Sequence, residues 1–301
     1  MGSIVILDSI ATETLVLTQG AARCDLLPHL GGSIGAWSVN GQEMLRKVGE
    51  TGITTRDPYA TAGFPLVPYS NRIAQGGFEW RGRRVSLTRN FSPEPHAIHG
   101  VGFERPWQVQ TRGRDFAVLR LTHRPDAAWP WAFEARQHIT LTDDLLTLEF
   151  TAVNLEPQAV PLAFGHHPYF PSGGARLTFH AQGVWHTGDD GLPRELVKPA
   201  GPFDFSRGAP IENAEIDHCF TGWNGEAIVE WPDKPQALGI AASRELSSAV
   251  LYTRREFDAF CFEPVAHMNN AINRRDPEGA MPVIAPGERF EASIRFRAIR
   301  Q

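Results

Sequence analysis

"RQHITLTDDLLTLEFTAVN", residues 136–154, alternates apolar and polar side chains on both sides of a short polar break. A period of two sends successive side chains to opposite faces of a strand. Thr142, Asp143 and Asp144 supply the turn, so the stretch predicts an antiparallel hairpin with Leu146, Leu148, Phe150 and Ala152 sharing one face. The same alternation recurs in "ETLVLTQ", "SIGAWSVN", "RRVSLTR", "WQVQTR", "FAVLRLTHR", "AIVEWP", "AVLYTR" and "FEASIRFRAI", giving about a dozen runs parted by Gly, Pro, Asn and Asp. No segment keeps a helical period over three turns, and 28 glycines and 23 prolines suit many strand-to-strand turns. The fold class that follows is all-β, as a sandwich or a barrel.

The 301 residues carry no Gly/Ser or Pro linker, so residues 1–301 read as one large domain. The least strand-like stretch, residues 48–77, reads as a long loop on the β scaffold, where ligand contacts are expected. A net charge of −5 with 29 scattered basic residues lacks the clustered stripe that phosphate backbones require, which argues against nucleic acid. Apolar runs such as "IVIL" are too short to span a bilayer, and "MGSIVILDSIATE" lacks a basic n-region and a long h-region. Cys24, Cys219 and Cys261 are odd in number and far apart, which fits reduced thiols and a cytoplasmic location.

Five stretches carry residues capable of chemistry: "PYSNRIAQGGFEWRG" (68–82), "HAIHGVGFERPW" (96–107), "FGHHPYF" (164–170), "EIDHCF" (215–220) and "FCFEPVAHMNNAIN" (260–273). If residues 162–167 are extended, His166 and His167 face opposite ways, and only one of them can enter a given pocket. His167 precedes a proline, which biases it further toward extended backbone. The bland reading of either is a hydrogen-bonded histidine at a strand end. His96 and His99 stand three apart with glycines following at 100 and 102, which suits a turn; with Glu263 they open a cupin-like metal reading, although their spacing does not enforce convergence. Glu263 lies in an apolar strand, where burial would raise its pKa toward that of a base useful near neutrality, unless it sits on an exposed edge. Asp217 has similar standing, and Arg72 is either a pocket wall or a surface arginine.

Taken together these blocks resemble the aldose 1-epimerase (mutarotase) family. Its N-R-I-x-x-G-x-F-x-x-x-G block stands at Asn71-Arg72-Ile73 through Gly82, its H-G-x-G block at His99 to Gly102, and its H-P-Y-F block at His167 to Phe170. The D-H-x-F block follows at Asp217 to Phe220, and the late E-P at Glu263-Pro264. The order matches, and the likeness runs from about residue 15 to the closing "APGERFEASIRFRAI". The resemblance implies a large antiparallel β-sandwich that binds a free sugar in an open cleft and interconverts its α and β anomers without metal or organic cofactor. On this likeness Glu263 is the general base and His167 the general acid, while His99, Arg72, Asn71 and Asp217 hold sugar hydroxyls or the ring oxygen. His166 departs from the asparagine that better-known galactose mutarotases tend to carry, which leaves substrate preference open.

The residues agree with that chemistry on their own terms. Opening a hemiacetal takes a proton from the O1 hydroxyl and gives one to the ring oxygen O5, so a carboxylate and an imidazole suffice, one on each side of the sugar across a sugar-sized gap. Trp129 and Trp131 offer a stacking surface for a sugar face. A hexose-6-phosphate mutarotase of the same fold would need arginines converging on phosphate, for which Arg56 and Arg72 are the candidates. A glycoside hydrolase would use Glu263 and Asp217, leaving the histidine blocks without a task. A carbohydrate-binding protein without turnover is the reading from another class. The expected partner is a small-molecule sugar, with the chain a monomer or homodimer.

Overall fold

In a computed structural model of the chain, residues 13–212 and 215–301 are described, together with the backbone of residues 5–9. Most of the opening segment on which the leader expectation rests lies outside them. No described helix is long and apolar enough to cross a membrane.

The hairpin of residues 136–154 forms as expected. Strand Phe133–Leu141 pairs antiparallel with Leu145–Asn154, Leu141 opposite Leu146, and the Thr142 amide donates to the Leu145 carbonyl at 2.8 Å across the turn. Leu146, Leu148, Phe150 and Ala152 are all buried. This hairpin sits inside a ten-stranded antiparallel sheet, flanked by Phe116–His123 on one side and Arg289–Arg300 on the other.

A second, eleven-stranded sheet places Ile216–Thr221, Ser248–Thr253, Ala259–Val265, Gly165–Pro171 and Gly63–Leu66 side by side. The two sheets pack face to face: Trp37 of the second meets Phe296 of the first at 6.3 Å between ring centroids, and Phe170 meets the same ring at 6.2 Å. A continuous buried apolar cluster from Leu15 to Phe296 fills the space between them. The architecture is thus a large antiparallel β-sandwich, all-β as the alternation predicts.

Residues 48–77 depart from the loop reading. They contain a six-residue helix, Glu50–Thr55, and the strand Gly63–Leu66, which lies well inside the second sheet. A four-residue "GFPL" run shows no alternation and carries a proline, which normally marks an edge. It is tolerated here because pairing on its far side consists of Ile34 opposite Gly63 alone. Trp129 and Trp131 also depart from expectation. They pack on each other and on Phe78 inside the core, with Trp129 also against Tyr69, and so offer no face to a sugar.

Candidate active site

The register of the second sheet builds one wall of a cavity of about 770 Å³. Gly165 lies opposite Val265 and Tyr169 opposite Cys261, which sets His167 directly across from Glu263. His167 also lies opposite Phe64, and Asp217 opposite Tyr252, so these side chains share one face. The result is a contact between two groups nearly a hundred residues apart in sequence: His167 Nε2 is 3.3 Å from Glu263 Oε1. Phe64 stacks on the His167 ring at 4.6 Å and Tyr169 lies against it at 4.8 Å, fixing its plane.

Both members of the pair are buried. Burial, reinforced by Asp217, raises the Glu263 pKa well above the usual carboxylate value, and the Arg72 charge only partly opposes it. Burial, then His99 and His166, lowers the His167 pKa well below the usual imidazole value. The contact is therefore a carboxylic acid against a neutral imidazole, with one proton available for transfer between Oε1 and Nε2. The other carboxyl oxygen, Oε2, has no hydrogen-bond partner among the described residues.

His166 takes the opposite face, as alternation requires. Its ring lies against Phe150 at 5.9 Å and Phe296 at 6.4 Å, in the core between the sheets. Burial holds its pKa down to about 3, and neither ring nitrogen has a hydrogen-bond partner among the described residues. Gly63 makes the room: a Cβ there would come within 2.9 Å of His166 Nε2.

The remaining predicted residues arrive on loops. Asn71 and His99 both adopt positive φ, 55° and 60°, and lock together: the Asn71 amide donates to His99 Nδ1 at 3.2 Å, and the His99 amide to the Asn71 carbonyl at 3.0 Å. Because Nδ1 accepts, the proton of the neutral ring sits on Nε2. Burial, followed by the Arg72 charge, holds the His99 pKa down to about 3. The ring stands edge-on to His167 with centroids 5.2 Å apart. Asn71 Oδ1 accepts from the Arg72 amide at 2.9 Å. Arg72 pairs with Asp217 at 3.2 Å and with Glu94 at 3.4 Å. All six predicted site residues thus line one cavity.

A family model for aldose 1-epimerase matches residues 13–297. The chain belongs to the aldose 1-epimerase family. Among relatives, it is 28% identical over 291 residues to the uncharacterized protein YphB of Escherichia coli K12, covering 93% of this chain and 97% of that protein. It is 27% identical over 202 residues to an aldose 1-epimerase of Haemophilus influenzae, covering 60% and 58% respectively. Among solved structures, a galactose mutarotase-like protein of Clostridium acetobutylicum shares the fold at TM-score 0.83 and 18% identity, over 96% of this chain and 95% of that one.

As a member of the aldose 1-epimerase family, the chain differs from its sequence reading in three places. His166 lies in the core and lines no part of the cavity, so its departure from asparagine does not reach a ligand directly. His167 and Glu263, the expected acid and base, do not face each other across a sugar-sized gap; they touch. His96 accepts from the Gln75 amide at 3.0 Å and bonds the Asp190 carbonyl at 3.0 Å, which makes it a strut between loops and removes it from the cupin-like reading. Sequence reasoning missed Tyr59, Arg46 and Glu94. Arg46 lies over the Tyr169 ring at 3.8 Å while bonding the Tyr59 and Thr61 carbonyls. Tyr59 sits in the segment marked for ligand contacts, which was the available signal; Arg46 and Glu94 belong to no block and left none.

Proposed function

We propose that this chain is an aldose 1-epimerase that interconverts the α and β anomers of a free aldose by acid–base opening and closure of the ring. The observation that carries the reading is the Glu263–His167 pair, 3.3 Å apart in a buried wall, with one carboxyl oxygen unpartnered among the described residues. Contact between acid and base suits the reaction, because O1 and O5 are bonded to the same carbon. Neighbouring groups on one wall reach both.

In the opening direction the pair reacts through its minor ion-pair tautomer, reached when the transferable proton moves from Glu263 Oε1 to His167 Nε2: the carboxylate then takes the O1 proton, the C1–O5 bond breaks as C1=O1 forms, and the imidazolium gives its Nε2 proton to O5. The pair passes from carboxylate and imidazolium to carboxylic acid and imidazole with no change in total proton count. Those uncharged forms are the ones burial favours. The aldehyde then turns about C1–C2, and closure on its other face reverses both transfers. His99, donating through Nε2, together with Asn71, Arg72 and Asp217, offers directional partners to ring hydroxyls.

The phosphorylated-sugar alternative finds little support. Arg56 does not line the cavity, and the two arginines that do, Arg46 and Arg72, are already committed to carbonyls and carboxylates. Asp57, Asp217, Glu256, Asp258 and Glu263 outnumber them on the lining. The hydrolase reading loses its second carboxylate to the Arg72 ion pair.

Polarimetry of freshly dissolved α-D-glucose and α-D-galactose tests the proposal. The protein should accelerate mutarotation with or without a chelator, and Glu263→Gln and His167→Asn should each slow it by at least ~10²-fold. Unchanged rates in both variants, or no acceleration of any aldose by the wild type, would sink it.

A further inference from the structure

The stretch "VAHMNNAIN", residues 265–273, follows Glu263 closely in the chain, yet none of its residues is among those lining the cavity. It is polar for a segment that packs against a sheet, and His267 and Asn269 are buried. Buried polar groups take hydrogen-bond partners, and those of His267, Asn270 and Asn273 converge on one place, the backbone of residues 70–77.

The Ser70 amide donates to His267 Nε2 at 3.2 Å. The ring proton therefore sits on Nδ1, which donates to the Met268 carbonyl at 2.8 Å. Burial holds the His267 pKa down to about 4, so the ring remains an acceptor near neutrality. Three residues on, the Asn270 amide donates to the Arg72 carbonyl at 2.8 Å, and Asn270 Oδ1 accepts from the Ala74 amide at 3.0 Å. Asn270 makes both bonds from φ 57°, a left-handed conformation that asparagine tolerates better than most residues. Asn273 Nδ2 donates to Asn270 Oδ1 at 2.8 Å and to the Gly77 carbonyl at 3.0 Å, which steadies the Asn270 side chain.

Among the described residues, strand Arg72–Ile73 pairs only with Ala97–Ile98, in a two-stranded sheet separate from the two large ones. Its ladder therefore does not tie Asn71 and Arg72 to the sheet that carries Glu263 and His167. The bonds from residues 267 and 270 do, on the side away from His99, and they come from a segment that begins four residues after Glu263. We propose that His267 and Asn270 are positioning residues, which set Asn71 and Arg72 at working distance from the Glu263–His167 pair. This rests on the epimerase reading for what the two held residues do. Because neither His267 nor Asn270 lines the cavity, their effect on a sugar passes through the loop they hold.

Two deletions and their conservative counterparts test it by polarimetry with glucose and galactose. His267→Leu removes the acceptor for the Ser70 amide, whereas His267→Gln keeps one; Asn270→Gly keeps the left-handed backbone and loses Oδ1, whereas Asn270→Asp keeps it. KM should rise about tenfold in His267→Leu and Asn270→Gly with kcat within about threefold, while the Gln and Asp variants keep KM within about threefold of wild type. Asn273→Ala, at an exposed position where folding is not at stake, loosens only the Asn270 side chain and should raise KM by about threefold. An unchanged KM in the folded deletion variants and in Asn273→Ala, or an equal rise in the conservative variants, overturns the assignment. Kd of the same sugars by isothermal titration calorimetry separates the two readings. If the wild type binds a sugar without turning it over, a tenfold weaker Kd in the deletions upholds the positioning role while the epimerase reading falls, and an unchanged Kd overturns both. A wild type that neither binds nor turns over either sugar overturns both as well.

Discussion

His166 and His167 are chemically identical and covalent neighbours, yet they belong to two different regions of the molecule. One faces the cavity and touches a carboxyl group at 3.3 Å; the other faces the ten-stranded sheet and touches phenylalanine rings. Both are buried, and burial holds both uncharged. What separates them is company, not exposure. On the cavity face a buried imidazole has a partner with which it can exchange a proton, and on the core face it has none. Desolvation by itself therefore does not mark a catalytic group; desolvation beside a second titratable group does.

The largest consequence of this shared burial is acid sensitivity. His99, His166, His167 and His267 are all pushed down, the first two to about 3 and His267 to about 4, each with burial as the leading cause. A depressed imidazole binds more protons in the unfolded chain than in the folded one, so its contribution to stability is complete above about 6.5 and is lost as pH falls toward the folded value. Glu263 acts in the reverse sense: its raised pKa leaves it protonated in the fold at a pH where the unfolded chain has lost that proton. Among these five groups, four imidazoles opposed by one carboxyl leave three protons between about pH 4.5 and 6.5, so they alone should lower stability by up to about 4 kcal/mol per pH unit as pH falls there; the depressed His29, His123 and His218 act in the same sense and the raised Glu104 against them. Urea midpoints measured across that range should drop steeply. A flat profile would mean that these histidines are not buried uncharged.

A second test separates the two faces by what each costs when damaged. Phe150 stacks on Phe164 at 4.5 Å and lies against His166, wholly in the core. Phe150→Ala should remove about 3–5 kcal/mol of stability in denaturant unfolding. The mutarotation rate of the fraction that remains folded should stay within a few-fold of wild type. Glu263→Gln should do the opposite. If Phe150→Ala slowed turnover as severely as Glu263→Gln, the two faces would not be independent.

Much of this division is legible in the sequence. Alternation through "FGHHPYF" separates the two histidines, the polar turn at Thr142–Asp144 yields its hairpin, and the ordered blocks bring Asn71, Arg72, His99, His167, Asp217 and Glu263 together. What could not be read is register. Nothing local sets Tyr169 opposite Cys261, and it is this pairing across 92 positions that turns an imagined gap into a contact. The central strand Gly63–Leu66 escaped because Gly and Pro occupy two of its four places, and Glu94 escaped because its role exists only once Arg72 is near. Trp129 and Trp131 misled for a simpler reason: large aromatics serve cores and sugar platforms equally well, and composition does not distinguish the two.

The smallest effect is the sharpest. His166→Leu replaces a buried imidazole whose two nitrogens lack partners among the described residues with a side chain that has no polar atoms to bury, in a space bounded by Phe150, Phe296 and the close-lying Gly63. Removing unsatisfied polar groups is favourable, while the change of ring to branched alkyl leaves imperfect packing, and the two terms oppose each other at about 1 kcal/mol each. Stability at neutral pH should therefore move by less than about 1 kcal/mol in either direction. The informative quantity is the slope of stability against pH, which should lose about 1.4 kcal/mol per unit between pH 4.5 and 6.5, the share of one imidazole. Mutarotation should stay within about threefold of wild type, because the leucine reaches the cavity no more than the histidine does. A rate loss comparable to that of His167→Asn, with the slope unchanged, would place the proton donor on the wrong face of the strand.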